Sequence, residues 1–127
     1  DAVKEHNLTP LARVVSYASA GCDPKIMGIG PVPAVKQALE AANLNLDQMD
    51  LCEVNEAFAV VALANAQLLG VEIDQVNQRG GAVSLGHPIG MSGARIVGSL
   101  AMQLEDVGVA SICNGGGGAS AIVLTKL

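Results

Sequence analysis

Aromatic residues are almost missing from this chain: Tyr17 and Phe58 are the only two, and there is no tryptophan. The core must therefore be built from Val, Ile, Leu and Ala. Charge is also scarce, at 15% of residues, and the net value of -5 leaves no basic stripe to replace phosphate counterions, which argues against nucleic acid as the main partner. Three cysteines, Cys22, Cys52 and Cys113, are too few and too irregularly spaced for a disulfide framework or a zinc site, so no metal is expected and a reducing compartment is the simpler home. No apolar run is long enough for a membrane span, and the opening DAVKEHNLTP lacks the charged-then-apolar pattern of a signal peptide. It has no initiating Met. We read residues 1–10 as a linker from a preceding domain and 11–127 as one domain of a larger protein.

What the chain has in quantity is aliphatic residues and glycine. Half the residues are apolar and 15 are glycine, a composition that excludes disorder. A chain of 127 residues buries about two-thirds of its unfolded surface on folding. Leu11 to Ala20, β-branched and partly alternating, predicts a strand, and Gly21 to Pro33 supplies loop punctuation. Val35, Ala38, Leu39 and Ala42 share one face of a helix that Asn43 stops. Asp50 to Asn55 predicts a short strand running into a helix from Glu56 to Leu69, whose apolar character nearly all round calls for a neighbour beyond this domain's own sheet. A brief strand around Val76 precedes a helix from Ile89 to Leu104, and strands Val107 to Cys113 and Ala119 to Thr125 form a hairpin across a glycine loop. That order gives a mixed α/β sheet with helices on its faces.

Chemistry concentrates in two stretches, GGAVSLGHPIGMSGAR from Gly80 to Arg95 and CNGGGGA from Cys113 to Ala119. An isolated histidine is ordinarily a plain surface or core residue. His87, however, is restricted by Pro88 to extended backbone, and Gly86 and Gly90 permit close approach, so its imidazole is aimed. An isolated cysteine at a strand end is ordinarily a small buried hydrophobe. Beside Cys113 stand four glycines, each costing roughly 0.5 to 1 kcal/mol relative to Ala. Successive bare N–H groups next to a sulfur would make an anion-binding nest. Asn55, where strand meets helix, fits an N-cap with Glu56 in the first turn; the functional alternative is an amide that fixes a water or an oxygen in an active site. Cys22 and Cys52 read as structural.

Asn55-Glu56-Ala57-Phe58, then Gly80-Gly81-Ala82 leading into Gly86-His87-Pro88 and Gly93-Ala94-Arg95, then Cys113-Asn114-Gly115-Gly116-Gly117, closely resemble the C-terminal half of the thiolases. The resemblance runs from about Leu8 to Leu127 and includes Ile26 to Ala34. It implies a thiolase-like mixed sheet of five strands with helices on both faces, one half of a five-layer αβαβα arrangement. It also implies acyl transfer between a cysteine and coenzyme A, in cleavage of 3-ketoacyl-CoA or Claisen condensation of two acyl-CoAs. On that likeness His87 activates the acyl-accepting cysteine and helps bind the thioester oxygen, and Asn55 holds a water that completes one oxyanion hole. Cys113 is the second, acid/base thiol, and the Gly115 N–H contributes to a second hole. Coenzyme A thioesters are then substrates and no resident cofactor is needed. The family's covalent nucleophile is a cysteine of the N-terminal half, and no cysteine here lies in a matching context, so the implied partners are an N-terminal thiolase domain and, in the complete protein, further copies in a dimer or tetramer. The implied location is mitochondrial or cytoplasmic. The alternative is a non-catalytic thiolase half serving as a binding or dimerisation unit.

Overall fold

A computed structural model describes all of residues 1–127. The first eleven residues are exposed, with one helical turn, α1 (Ala2–Glu5), among them. Strand β1 (Ala12–Gly21) follows, and then a short 3₁₀ segment at Pro24–Ile29. Helix α2 (Pro31–Ala42) starts earlier than the apolar spacing suggests, because Pro31 is suited to a first turn where its missing N–H has no partner to lose. It ends at Asn43, whose left-handed backbone (φ 55°) lets its own N–H and that of Leu44 reach back to carbonyls of the last turn.

Strand β2 (Leu51–Val54) leads to helix α3 (Ala59–Leu69), a single turn α4 (Ala82–Leu85) and helix α5 (Ser92–Gln103). Strands β3 (Val107–Cys113) and β4 (Gly118–Lys126) close the chain. The sheet order is β1-β4-β3-β2. Strand β4 is antiparallel to both neighbours, and β2 is parallel to β3. A parallel pair needs a long crossover, here the stretch carrying α3, α4 and α5.

Side chains alternate along β3 and β4 between two apolar clusters, one on each face of the sheet. Val109, Cys113, Ala119, Ala121 and Val123 join α2 and α3 in the larger cluster. Ala110 and Leu124 join Ile96 and Leu100 of α5 in the smaller one. Helices therefore cover both faces, as expected, but the sheet has four strands where five were expected. The fifth is reduced to a single bridge from Val76 to Cys52. A side chain replaces the rest: Asn77 Oδ1 accepts from the Val54 N–H (2.9 Å) and its Nδ2 donates to the Val54 carbonyl (2.8 Å), so one carboxamide pairs with the strand as a backbone would. With φ at 51°, Asn77 then turns the main chain away.

Helix α3 begins at Ala59, three residues later than expected, with Phe58 in the capping position. It buries one stripe, Val61, Ala62, Asn65 and Ala66, while Val60 and Leu63 on its other side are more than half exposed. Phe58, Leu85 and Ile89 add to that apolar surface. No helix is long and apolar enough to cross a membrane.

Two outcomes follow from this packing. A methyl group on Gly108 would sit 2.7 Å from a Leu100 methyl and 2.9 Å from the Leu51 carbonyl oxygen, which is backbone and cannot move aside. Gly108→Ala should thus lower stability by about 1–3 kcal/mol, read as a lower urea midpoint at constant slope; an unchanged midpoint would contradict the packing described. Phe58, Val60 and Leu63 leave apolar side chains uncovered on and beside α3, the kind of surface that marks an association site. The 127 residues alone should self-associate in sedimentation velocity, and a monodisperse monomer would count against it.

Candidate active site

The parallel register sets the site. Val54 lies opposite Ser111, and the Asn55 N–H donates to the Ser111 carbonyl at 2.9 Å. Asn55 therefore follows the C-terminal end of β2 directly, on the same rim at which β3 ends with Cys113. Open α/β sheets place ligands at this rim.

The N-cap expected of Asn55 is not formed, since α3 starts four residues later. Asn55 is instead fully buried, and neither its Oδ1 nor its Nδ2 finds a protein partner. An unpaired buried amide costs about 1–3 kcal/mol, so the chain bears a penalty here that folding alone does not explain. Glu56 is likewise not in a first turn of α3. Its carboxylate accepts from Asn77 Nδ2 (2.8 Å) and from the Val83 N–H (2.9 Å), thereby capping α4. Gly81 has to be glycine for this contact, because any Cβ there would overlap the Glu56 carboxylate.

Capped in this way, α4 delivers Gly86, His87 and Pro88 to the start of α5. His87 Nδ1 lies 2.6 Å from the hydroxyl oxygen of Ser92, which is completely buried and also reaches the Pro88 carbonyl at 3.1 Å. With its own proton on that carbonyl, the Ser92 oxygen accepts from Nδ1–H, so Nδ1 keeps its hydrogen while Nε2 gains or loses one. Ser92 was not singled out from the sequence. The only available signal was its place five residues after the histidine, in the first turn of a helix.

Cys113 is buried at the end of β3. Burial pushes its thiol up from the ordinary value, and the nearby Cys22 adds to this, against a lowering from the backbone of Cys113 itself. The group is held as a thiol, a proton donor at neutral pH. Cys52 is pushed up further, to about 11, by burial and then by Asp50 and Glu53, and faces the core.

The four glycines after Cys113 divide by cause. Gly116 and Gly117 have φ near 86° and 87°, as the tight connection requires, and a Cβ on Gly118 would meet Asn114 Oδ1 at 2.6 Å. Gly115 has no such reason: its φ is ordinary, and a Cβ there would meet nothing within 4 Å. It faces a cavity of about 570 Å³. His87, Cys113 and Gly115 all line that cavity, together with Ala57, Phe58 and Met27. Asn55 does not line it directly; it is buried two residues before Ala57, which does. The structure thus gathers three of the four expected residues around one space and sets the fourth in the adjoining interior.

Behind the rim, Glu53 in β2 is almost wholly buried and raised above the usual carboxylate range by that burial, against lowering by Gln103 and then Arg95. Gln103 Nε2 donates to Glu53 at 3.2 Å, and the Arg95 guanidinium stands 3.4 Å from it. Both partners come from α5, so the helix carrying Ser92 is tied to the strand that leads into Asn55.

A buried thiol, an imidazole backed by a hydroxyl, and a bare backbone N–H border one cavity, groups that are chemically able to move a proton and to hydrogen-bond an anionic oxygen. Residues 8–126 match the family model described as thiolase, C-terminal domain. Acetyl-CoA acetyltransferase A, mitochondrial, of Xenopus laevis is 53% identical over all of this chain and 31% of its own length. Human mitochondrial 3-ketoacyl-CoA thiolase is also 53% identical, over 98% of this chain and 32% of its own. A crystal structure of the human enzyme in complex with CoA superimposes with a TM-score of 0.95 at 51% identity, covering all of this chain and 33% of that one. The chain belongs to the thiolase family, as its C-terminal domain, and spans about a third of the length of these relatives.

Ser92→Ala should leave Nδ1 of His87 without its partner at a cost of about 1 kcal/mol. In ¹⁵N-resolved NMR the His87 ring nitrogens should shift while those of His6, in the exposed N-terminal stretch, stay fixed. Unmoved His87 resonances would remove Ser92 from the site.

Proposed function

We propose that this domain serves acyl transfer between an enzyme cysteine and coenzyme A, cleaving 3-ketoacyl-CoA or condensing two acyl-CoA molecules. The observation that carries this reading is the single cavity bordered by His87, Cys113 and Gly115, with the unpaired amide of Asn55 close behind.

In the condensing direction a proton leaves the α-carbon of an acyl thioester, and the electron pair moves onto the thioester oxygen. Cys113 is the group that takes and returns that proton. It takes the proton as the thiolate, its own proton having gone to a departing coenzyme A sulfur, and the burial that disfavours this anion makes it the stronger base. The oxyanion is what makes the step accessible, and each donor aimed at it contributes about 10² to 10³ in rate. His87 Nε2 and a water held by the Asn55 amide supply one set of donors, and the Gly115 N–H contributes to a second. Ser92 steadies the imidazole in both of its protonation states. The covalent acyl carrier is a cysteine outside these residues, in an N-terminal thiolase domain, so the 127 residues alone should not turn over. Coenzyme A thioesters are the substrates, the complete protein is a homo-oligomer, and the mitochondrion is the compartment its relatives' names favour.

The test is thiolysis of acetoacetyl-CoA by the full-length protein. His87→Ala and Asn55→Ala should each lower kcat/KM by about 10² or more, and Cys113→Ser should lower kcat with little change in KM. Unchanged turnover in His87→Ala would reject the assignment. No turnover in the unaltered protein would favour a non-catalytic binding or dimerisation unit.

A further inference from the structure

One buried charged side chain, that of Arg95 in α5, takes no part in the steps above. It is 13% exposed, and Nη1 meets Glu53 Oε2 at 3.4 Å. Nη2 is buried and reaches no protein partner, a condition that native proteins seldom leave unanswered. Arg95 belongs to a polar stripe on its helix. Ser92, Arg95, Ser99 and Gln103 recur at spacings of three and four residues and so share one side of α5. Ile96 and Leu100, beside them, pack into the smaller apolar cluster.

The stripe runs toward the candidate active site. Glu53 is held from two directions along α5, by Gln103 at the end of the helix and by Arg95 near its start. Arg95 therefore stands on the side of Glu53 that leads to Ser92 and His87. Asn55 stands on that side too, two residues past Glu53, where its N–H carries the ladder on to Ser111. Val54 between them faces the larger cluster, so alternation puts Asn55 on the Glu53 face, the one that α5 covers. The interior between Glu53 and the site thus holds a spare donor, Arg95 Nη2, and both ends of the Asn55 amide, also spare. They match at one end only. A guanidinium has donors and no acceptor, so it can satisfy Oδ1 and never Nδ2.

We propose that Arg95 is a positioning residue for Asn55: one buried water accepts from Arg95 Nη2 and donates to Asn55 Oδ1, which turns Nδ2 toward the active-site cavity. Glu53 anchors the guanidinium in turn. The inference rests on the function proposed above, in which the Asn55 amide holds a water facing the oxyanion, and names the group that decides which end of the amide holds it. The choice matters chemically. A water that accepts from Nδ2 keeps both of its protons, so one is free for the developing oxyanion, whereas a water bound at Oδ1 spends a proton on the amide.

The experiment is a double-mutant cycle on thiolysis of acetoacetyl-CoA by the full-length protein. Arg95→Lys keeps a cation for Glu53 but has no second nitrogen with which to orient the amide. It should lower kcat by about tenfold, less than the loss of a donor outright, with KM held within about twofold. In an Asn55→Ala background the same substitution should change kcat by less than about twofold, because no amide is left to orient. An equal loss in both backgrounds would make Arg95 a structural residue and overturn the inference alone, as would full activity in Arg95→Lys. A crystal structure of the unaltered full-length protein gives a check that needs no variant to fold. A water within hydrogen-bond distance of both Arg95 Nη2 and Asn55 Oδ1 is expected there, and Nη2 paired elsewhere would overturn the assignment. Unchanged turnover in Asn55→Ala, or none in the unaltered protein, would instead overturn the proposed function, and the inference with it.

Discussion

The parallel pairing of β2 with β3 is the constraint on which the arrangement depends. Parallel neighbours bring two C-terminal ends to one rim, and the hydrogen bond from the Asn55 N–H to the Ser111 carbonyl carries that pairing to its last residue. A slip of one residue would send Glu53 into the larger apolar cluster and Cys52 toward α5, exchanging the faces of the whole strand. Because both ends are fixed by the ladder, the amide and the thiol owe their placement to backbone pairing and to no contact with each other. The crossover that such pairing demands is also the segment that carries the histidine.

Much of the fold was legible because the two faces of the sheet impose strict alternation. β3 falls on the bounds read from Val107 to Cys113, and β1 is displaced by one residue. Discrepancies arise where local signals point one way and tertiary partners another. Asn55 and Glu56 look like a cap and a first turn, yet Asn77 and the α4 backbone claim Glu56, and α3 starts only at Ala59. The missing fifth strand has the same origin: Asn77 satisfies Val54 with a side chain where a longer strand would use backbone. Nothing in the run Asp74 to Gln78 announces that exchange.

The site was legible in its glycines and its histidine, less so in what supports them. The run after Cys113 looks uniform, but its last three members answer to turn geometry or a close neighbour, and only Gly115 is left without a folding reason. No role was read for Ser92 or for Asn65, one of two polar residues in its apolar stretch, because single polar residues carry no pattern. Their importance rests on complete burial and on the partners they reach, Pro88 and His87 for one and Gly28 for the other. Cys52 and Cys113 show the complementary case of one residue type in two settings: one thiol points into the core, whereas the other borders the cavity at the site.

The carboxamide that stands in for a strand also closes a border. Along the outer side of β2 the Cys52 carbonyl is taken by the Asn77 N–H, and both polar groups of Val54 are taken by the Asn77 side chain. A foreign polypeptide seeking to zip onto that margin finds the Cys52 carbonyl and both Val54 groups already taken, one of the ways natural sheets blunt an edge. The opposite margin is β1, with no strand beyond it, so an added strand would meet fewer occupied groups there than along β2.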